Sequence, residues 1–207
     1  NIGFFNDTVR DAIKGAEVYG HLKSGFVSGA QTEGIVAKGI LGSDELTHYL
    51  SPNQVLNYVE AHDNYNLNDL LLELHPDDSF ETHTKRVELA SAMGILMQGM
   101  SFIQLGQEFL RTKLYPTGDN GELTKEDKER AMNSYNAPDK VNQVDWNKVT
   151  HHHSTMAFVR ALIQLKRHNP AFSYQTFKEI REHVYVRTAK EGSHLVVYDI
   201  VSDKHYR

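Results

Sequence analysis

The chain has 207 residues, of which 40% are hydrophobic and 24% are charged, as in ordinary globular domains. Its formal net charge of −5, without a long basic run, argues against nucleic acid and anionic membranes as partners. The absence of cysteine excludes disulfides, thiolate metal sites and a cysteine nucleophile. No apolar stretch approaches the ~20 residues that span a bilayer.

The first forty residues predict a short strand, a helix and a loop-rich segment. Residues 2–5 form an apolar run that fits a strand, and Asn6 is of the type that caps a helix N-terminus. The helix that follows would place Val9 and Ile13 on one face. Residues 20–42 contain six glycines without a phosphate-binding pattern, and we interpret them as turns around one short helical segment.

One apolar run ends abruptly in polar residues: Val55-Leu56-Asn57-Tyr58-Val59-Glu60-Ala61-His62-Asp63-Asn64. Its β-branched and aromatic residues favour a buried strand. In α/β enzymes the chemistry lies at the carboxyl ends of such strands. His62 and Asp63 are adjacent, so both reach one ligand only if the strand ends there and the backbone turns, for which Asn64 is well suited. The alternative is a strand that frays into a solvated polar loop.

The next segment predicts a βαβ unit. Leucines at helical spacing between residues 67 and 74 indicate a short helix that stops at Pro76, and a long amphipathic helix follows over residues 82–98. Residues 100–106 then read as a second buried strand with a polar exit. Strand, helix and strand in this order indicate a parallel sheet, which brings the two polar exits to the same side. Glu108, just after the second strand, lies where a catalytic acid could be, and a structural hydrogen-bonding role is the alternative.

The second half begins with a long polar segment, residues 113–147, that contains a short charged helix. Its stretch 133–139 combines amides with an aromatic ring, which suits sugar hydroxyls and sugar faces, while a solvated linker is the alternative. A helix over 154–168, with Phe158 and Leu165 among its inward-facing residues, ends at Asn169-Pro170. Residues 183–187 and 194–200 predict an antiparallel hairpin. We expect a domain boundary near Pro170 and a longer parent protein.

Two groups of residues suggest metal binding only weakly. The side chains of His151, His152 and His153 point in different directions at a helix start. Asp77 and Asp78 are interpreted as an acidic loop, with weak binding of a structural calcium ion as the alternative.

The stretch Asn57 to Asn64 resembles the fourth conserved motif of the α-amylase superfamily of glycoside hydrolases. Its surroundings resemble the type I pullulanase branch, which cleaves α-1,6 linkages. Supporting stretches are residues 4–15, 102–113, 133–136, 142–146 and 162–172, and the resemblance runs in unbroken order from Ile2 to about Ile200. One departure is Asn68, where many relatives carry an aromatic residue soon after the motif.

The resemblance implies an α/β fold that comprises the C-terminal part of a (β/α)₈ TIM barrel and the start of an antiparallel β-sandwich. Residues 1–170 would hold the last third of the barrel, with strand six at 2–6, strand seven at 55–63 and strand eight at 100–105. Residues 171–207 would begin the sandwich. The family's nucleophile and acid/base then lie upstream of Asn1, so the isolated chain is expected to be inactive. Because the family's acid lies elsewhere, the resemblance implies a structural hydrogen-bonding role for Glu108.

The resemblance also implies roles for individual residues. Asp63 would be the third carboxylate and His62 its partner, and both would hydrogen-bond the sugar at the cleavage point. Asn64, Tyr135 and Asn136 would bind substrate, although Asn64 also fits a purely structural turn. The expected partners are a branched α-glucan and the N-terminal part of the barrel, with no metal and no organic cofactor.

Alternatives from other classes remain at this point. The parent could be a branching enzyme of the same superfamily or a non-catalytic glucan-binding homologue. It could be located in the bacterial cytoplasm, or it could be secreted or attached to the cell surface.

Overall fold

A computed structural model describes residues 2–18 and 20–201. The strands are β1 Phe4–Phe5, β2 Gly15–Val18, β3 His21–Ser24, β4 Val55–Asn57, β5 Met100–Ser101, β6 Val184–Thr188 and β7 Val197–Ile200. The helices are α1 Asp7–Lys14, α2 Glu33–Ile40, α3 Leu67–Leu74, α4 Phe80–Leu96, α5 Lys125–Met132, α6 Asp139–Asn142, α7 Lys148–His151, α8 His153–His168 and α9 Phe177–His183. None of the helices in these two ranges combines the length and the apolar character that a membrane span needs.

The central sheet has three parallel strands, with β4 between β1 and β5. Phe4 pairs with Val55 on one side, and Leu56 pairs with Met100 on the other. The chain passes from β4 to β5 through α3 and α4, so the predicted parallel βαβ unit is confirmed. Three parallel strands with crossover helices are an α/β arrangement, but they do not make a complete barrel.

The strands of this sheet are shorter than the sequence predicts. The run predicted as a strand over 55–63 is extended only in β4, and the run 100–105 only in β5. The last bond between them joins Phe102 N–H to the Asn57 carbonyl, at 2.8 Å. Beyond Asn57 the chain leaves the sheet and turns, and across this turn the buried Glu60 carboxylate accepts the Leu67 N–H at 2.6 Å.

Asn6 occupies the N-cap position of α1 but its side chain does not cap the helix. Its amide donates instead to Ser43 Oγ at 2.8 Å and to Asn57 Oδ1 at 3.1 Å. Asn6 and Asn57 are both buried, where an unsatisfied amide would cost more than an uncapped helix end that water can reach. The predicted capping role is therefore wrong, and Asn6 fastens the end of β1 to β4.

An antiparallel hairpin of β2 and β3 follows α1 directly, and the sequence did not predict it. The helix gives way to the strand at Gly15, which has a φ of 102°. A Cβ there would lie 2.1 Å from the Lys23 carbonyl oxygen, so glycine permits the close pairing. The prediction of turns over residues 20–42 is therefore wrong for β3, whereas the short helical segment is confirmed as α2.

The main core lies between α1, α2, α3 and α4, where Val9, Ile13, Leu67, Leu71 and Val87 are buried. Helix α8 contributes less than the sequence predicts: Thr155 and Val159 are its buried residues, while Phe158, Ile163 and Leu165 are 37%, 42% and 45% exposed. The apolar side chains of α8 therefore lie largely on the surface of the described chain.

The C-terminal hairpin of β6 and β7 is confirmed, with Val184 opposite Ile200. Tyr198 and Ile200 pack against the main core, so the hairpin is attached to the helices. The carboxylate of the fully buried Glu33 in α2 accepts the His194 N–H at 2.8 Å and ties down the connection before β7. Of the segment 171–207, residues 202–207 lie outside the described residues.

Two oppositely charged side chains, Lys14 and Glu60, are buried beside the sheet. Burial raises the pKa of the Glu60 carboxyl to about 7 and lowers the pKa of the Lys14 ammonium to about 8, while the attraction between them opposes both shifts. Glu60 accepts the Leu67 N–H, and Lys14 donates to the Tyr65 carbonyl at 2.9 Å. The two charges thus hold one short stretch of backbone, residues 65–67.

Glu60 predicts a pH-dependent stability. Its folded pKa of about 7 exceeds the ordinary value of 4.5, so the unfolded chain loses the proton first and the free energy of unfolding falls as pH rises from about 4.5 to about 7. Over this whole pH range the difference between the two pKa values lowers the free energy of unfolding by about 3 kcal/mol. Urea unfolding of Glu60→Gln should show a shallower fall across this window, and Glu81→Gln, an exposed carboxyl on α4, should keep the wild-type slope. An unchanged slope in Glu60→Gln would contradict the assignment.

Candidate functional site

The candidate site is the turn that follows the middle strand of the sheet. His62, Asp63 and Asn64 lie in a bend between β4 and α3, at the carboxyl side of the sheet. The side chains of His62 and Asp63 are 84% and 75% exposed, and His62 Nε2 lies 3.4 Å from Asp63 Oδ1. An imidazole and a carboxylate are thus held side by side, open to solvent, where they can donate to and accept from hydroxyl groups.

Asn64 provides the backbone conformation of this turn. Its φ of 63° lies in the left-handed region, which asparagine tolerates better than most residues. This geometry agrees with the turn role that the sequence offered as one of two interpretations. Just before it, the contact between His62 and Asp63 shows both side chains on one side of the chain, which a regular strand would prevent.

Charged side chains hold the far end of the turn. Tyr65 donates its N–H to Glu17 Oε1 at 2.8 Å and accepts from Lys14 at its carbonyl. Burial raises the pKa of Glu17, and its bond from Tyr65 N–H opposes that shift. With the bond from Leu67 to Glu60, three backbone polar groups of residues 65 and 67 end on buried or half-buried charged side chains. The turn is therefore anchored to α1 and β2.

Lys113 holds the near end of the turn. Its side chain is almost fully buried and donates to the carbonyls of His62 and Asn64 and, at 3.4 Å, to Ser134 Oγ. Burial lowers its pKa, and the charge of Asp69 opposes that shift. The ammonium therefore connects the turn with the segment that follows α5.

The predicted sugar-binding residues Tyr135 and Asn136 lie in that segment. Both are exposed, and Tyr135 is 80% exposed. The backbone before them is held by Asn142, whose amide donates to the Ser134 carbonyl at 2.7 Å. The structure thus joins the two predicted groups of site residues through Lys113 and Ser134.

Sequence reasoning missed the groups that support the turn, namely Lys14, Glu60, Asp69 and Lys113. Glu60 gave a usable signal, because a carboxylate in an apolar run that reads as a strand requires a partner. Lys113 gave none in its local pattern, since a lysine in a polar segment is ordinarily exposed. Glu108 accepts the Gly106 N–H at 3.0 Å, in line with the structural role expected for it.

The two groups with weak metal signals have other contacts. His151 and His153 approach the backbone carbonyls of Asn147 and Thr150, and Asp78 pairs with Arg86 at 2.7 Å. Residues 2–18 and 20–201 contain no group of three or more histidine or acidic side chains placed to hold a metal ion.

The departure at Asn68 has a clear structural setting. Asn68 is buried, its Oδ1 lies 2.9 Å from His83 Nε2, and its amide donates to Asp69. An amide–imidazole pair is therefore buried between α3 and α4.

No protein-family model matches the chain. It is 36% identical to a pullulanase of Bacillus subtilis over 203 residues, which covers 95% of this chain and 26% of that enzyme. It is 24% identical to pullulanase A of Streptococcus pneumoniae over 234 residues, which covers 97% of this chain and 18% of that protein. The chain therefore spans about a quarter or less of these relatives.

Solved structures give the same result. The pullulanase of Paenibacillus barengoltzii in complex with maltohexaose and α-cyclodextrin matches with a TM-score of 0.79 at 35% identity, over 95% of this chain and 29% of that one. The pullulanase of Anoxybacillus sp. LM18-11 in complex with maltotriose matches with a TM-score of 0.79 at 35% identity, over 95% and 26%. Sequence and fold together identify the chain as a pullulanase-like protein that corresponds to roughly a quarter of such an enzyme.

Proposed function

We propose that the chain is the C-terminal part of a glycoside hydrolase that cleaves α-1,6-glucosidic branch linkages in pullulan, glycogen or starch with retention of configuration. The observation that carries this proposal is the exposed His62–Asp63 pair at the carboxyl end of the middle strand, in a chain 36% identical to a pullulanase over 95% of its length. The carboxyl ends of barrel strands are where such enzymes keep their reacting groups.

In this proposal His62 and Asp63 bind hydroxyls of the sugar ring whose bond is broken. As the ring develops oxocarbenium character, hydrogen bonds to its hydroxyls strengthen, and an ionised carboxylate beside it stabilises the positive charge. A retaining glycosidase also needs a carboxylate nucleophile and a carboxylic acid about 5 Å apart. We assign both to the part of the parent protein upstream of Asn1.

Exposed apolar side chains on the sheet support a missing partner segment. The rings of Phe5, Tyr58 and Phe102 contact one another edge to face, yet Phe5 and Phe102 are 49% and 36% exposed, and Phe4 is 50% exposed. Apolar surface of this kind, next to strands with a free edge, is suited to burial by further strands. The N-terminal part of the barrel is the partner we propose.

The domain division follows the same assignment. We propose that residues 1–170 complete the barrel and that residues 171–207 begin an antiparallel β-sandwich. Two strands alone are marginally stable, so the β6–β7 hairpin is suited to extension by further strands.

The substrate class in this proposal is a branched α-glucan. Tyr135 offers an exposed ring that can stack on a sugar face, and Asn136 offers an amide for sugar hydroxyls. The Paenibacillus and Anoxybacillus pullulanases have been solved with maltooligosaccharides, which are α-glucans. A branching enzyme would transfer the released chain, and a glucan-binding homologue would not cleave it.

Three predictions test the proposed function, and the first compares the isolated chain with a hybrid enzyme that contains it. The isolated 207-residue chain should release no reducing sugar from pullulan, because it lacks a carboxylate pair across the bond. A hybrid in which this chain replaces the matching region of the Bacillus subtilis pullulanase should hydrolyse pullulan. Activity of the isolated chain would contradict the fragment proposal, and transfer products from the hybrid would favour the branching enzyme.

The second prediction concerns the His62–Asp63 pair. In the active hybrid, Asp63→Asn should lower kcat on pullulan by about 10²–10³-fold, since it removes a charge that stabilises the transition state. Asp77→Asn is the matched control, because Asp77 is also exposed but lies at the opposite end of α3. Equal activity of the two variants in an assay of reducing ends would refute the assignment of Asp63.

The third prediction separates the two interpretations of Asn64. Asn64→Gly keeps the positive φ and should retain kcat, whereas Asn64→Ala strains the turn and should lower the free energy of unfolding by about 1 kcal/mol. Kinetics and urea unfolding of both variants make the comparison. A tenfold loss of kcat in Asn64→Gly would show instead that the amide contacts substrate.

A further inference from the structure

One buried ammonium group contacts the backbone on both sides of Asp63. Lys113 is 2% exposed, and its Nζ donates to the carbonyl oxygen of His62 at 3.2 Å and to that of Asn64. The residues immediately before and after Asp63 are therefore bound to the same atom. A displacement of that atom would move the whole His62–Asp63–Asn64 bend.

The backbone of Lys113 is held by Asp69 in α3. Its own N–H donates to Asp69 Oδ2 at 2.7 Å, and Asp69 is fully buried in α3, where it also accepts from Asn68. Main chain and side chain of Lys113 are thus both tied, the first to a helix of the core and the second to the turn. The position of the ammonium is set by the packed part of the molecule.

The third contact of the ammonium reaches the other predicted sugar-binding segment. Ser134 Oγ lies 3.4 Å from Nζ, and Tyr135 and Asn136 follow directly in the chain. One side chain therefore lies between the two groups that the proposed function places around the same glucan.

The contacts of Lys113 indicate that it affects the position of the turn more than the stability of the fold. An ammonium kept out of water opposes folding, and a methionine of similar length would pack there without that cost. The two carbonyls it binds belong to His62 and Asn64, which are exposed residues, so the turn can shift and its carbonyls can find water once the lysine is gone. Removal of the ammonium should therefore release the turn more than it destabilises the fold.

From this geometry we propose that Lys113 is a positioning residue, which holds the backbone around Asp63 so that His62 and Asp63 meet the sugar in reactive orientation. The inference rests on the function proposed above. A misplacement of a catalytic group by about 1 Å can cost about 10²-fold in rate. Lys113 acts through His62 and Asp63 and has no contact with the reacting atoms in this proposal.

The chain offers a matched control in Lys166. Its ammonium also has three acceptors, namely the carbonyls of Met97 and Gly99 and Ser101 Oγ, at 2.7, 2.8 and 2.9 Å. Burial lowers its pKa to about 8. These acceptors lie at or before β5, toward the amino side of the sheet, so Lys166 is a half-buried lysine with as many acceptors as Lys113 but at the end away from the turn.

The experiment measures kcat and KM on pullulan for the active hybrid and its variants Lys113→Met, Lys113→Arg, Lys166→Met and Asp63→Asn. Lys113→Met should lower kcat by about 10²-fold with KM changed less than about threefold, as expected when an interaction of the transition state is lost. Lys166→Met should keep kcat within about threefold at a comparable thermal stability. Lys113→Arg, which retains charge and donors, should recover at least about tenfold of the loss.

Each outcome bears on one proposal. If Lys113→Met keeps the kcat of Lys166→Met while Asp63→Asn is inactive, the positioning role is wrong and the function stands. If Asp63→Asn is fully active, the proposed function fails first. Should Lys113→Met not fold, Lys113→Gln takes its place, and failure of both to fold while Lys166→Met folds would show that Lys113 serves the fold and overturn the inference.

Discussion

Parallel pairing of β4 with a neighbour on each side determines where the polar groups of this chain can lie. Because β4 and β5 run in the same direction, the segments that leave them emerge on one side of the sheet. The turn after β4 carries His62 and Asp63, and the segment after β5 carries Lys113, which reaches back to that turn. An antiparallel arrangement would place these two segments at opposite ends. The contact between lysine and turn is thus a direct result of the strand direction.

Much of this arrangement follows from sequence patterns alone. The βαβ unit, the helices α3 and α4, and the C-terminal hairpin were predicted from the spacing of apolar residues. The location of His62 and Asp63 at the carboxyl end of a strand was also predicted, since a buried run that ends in polar residues is typical of such a site. The requirement that the backbone turn at Asn64 followed from the two-residue period of a strand and agrees with its positive φ.

The remaining features depend on contacts between residues that are distant in the chain. Asn6 has the composition of a helix cap, but its amide is used by Ser43 and Asn57, which no local pattern reveals. The lengths of β4 and β5 depend on where the hydrogen bonds between the two strands end, after the bond from Phe102 N–H to the Asn57 carbonyl. The outward exposure of apolar residues on α8 is equally invisible to helical periodicity, which identifies an apolar face but not whether a neighbour covers it.

The register of the sheet also has a consequence for the order of folding. Phe4 pairs with Val55, about fifty residues along the chain, and Leu56 pairs with Met100 at a similar separation. Each pairing therefore closes a long loop for only two residue pairs, which returns little enthalpy for the chain entropy lost. Helices α1, α3 and α4, whose hydrogen bonds are local, do not carry this cost. We expect hydrogen-exchange protection to develop in the helices first and in the sheet last.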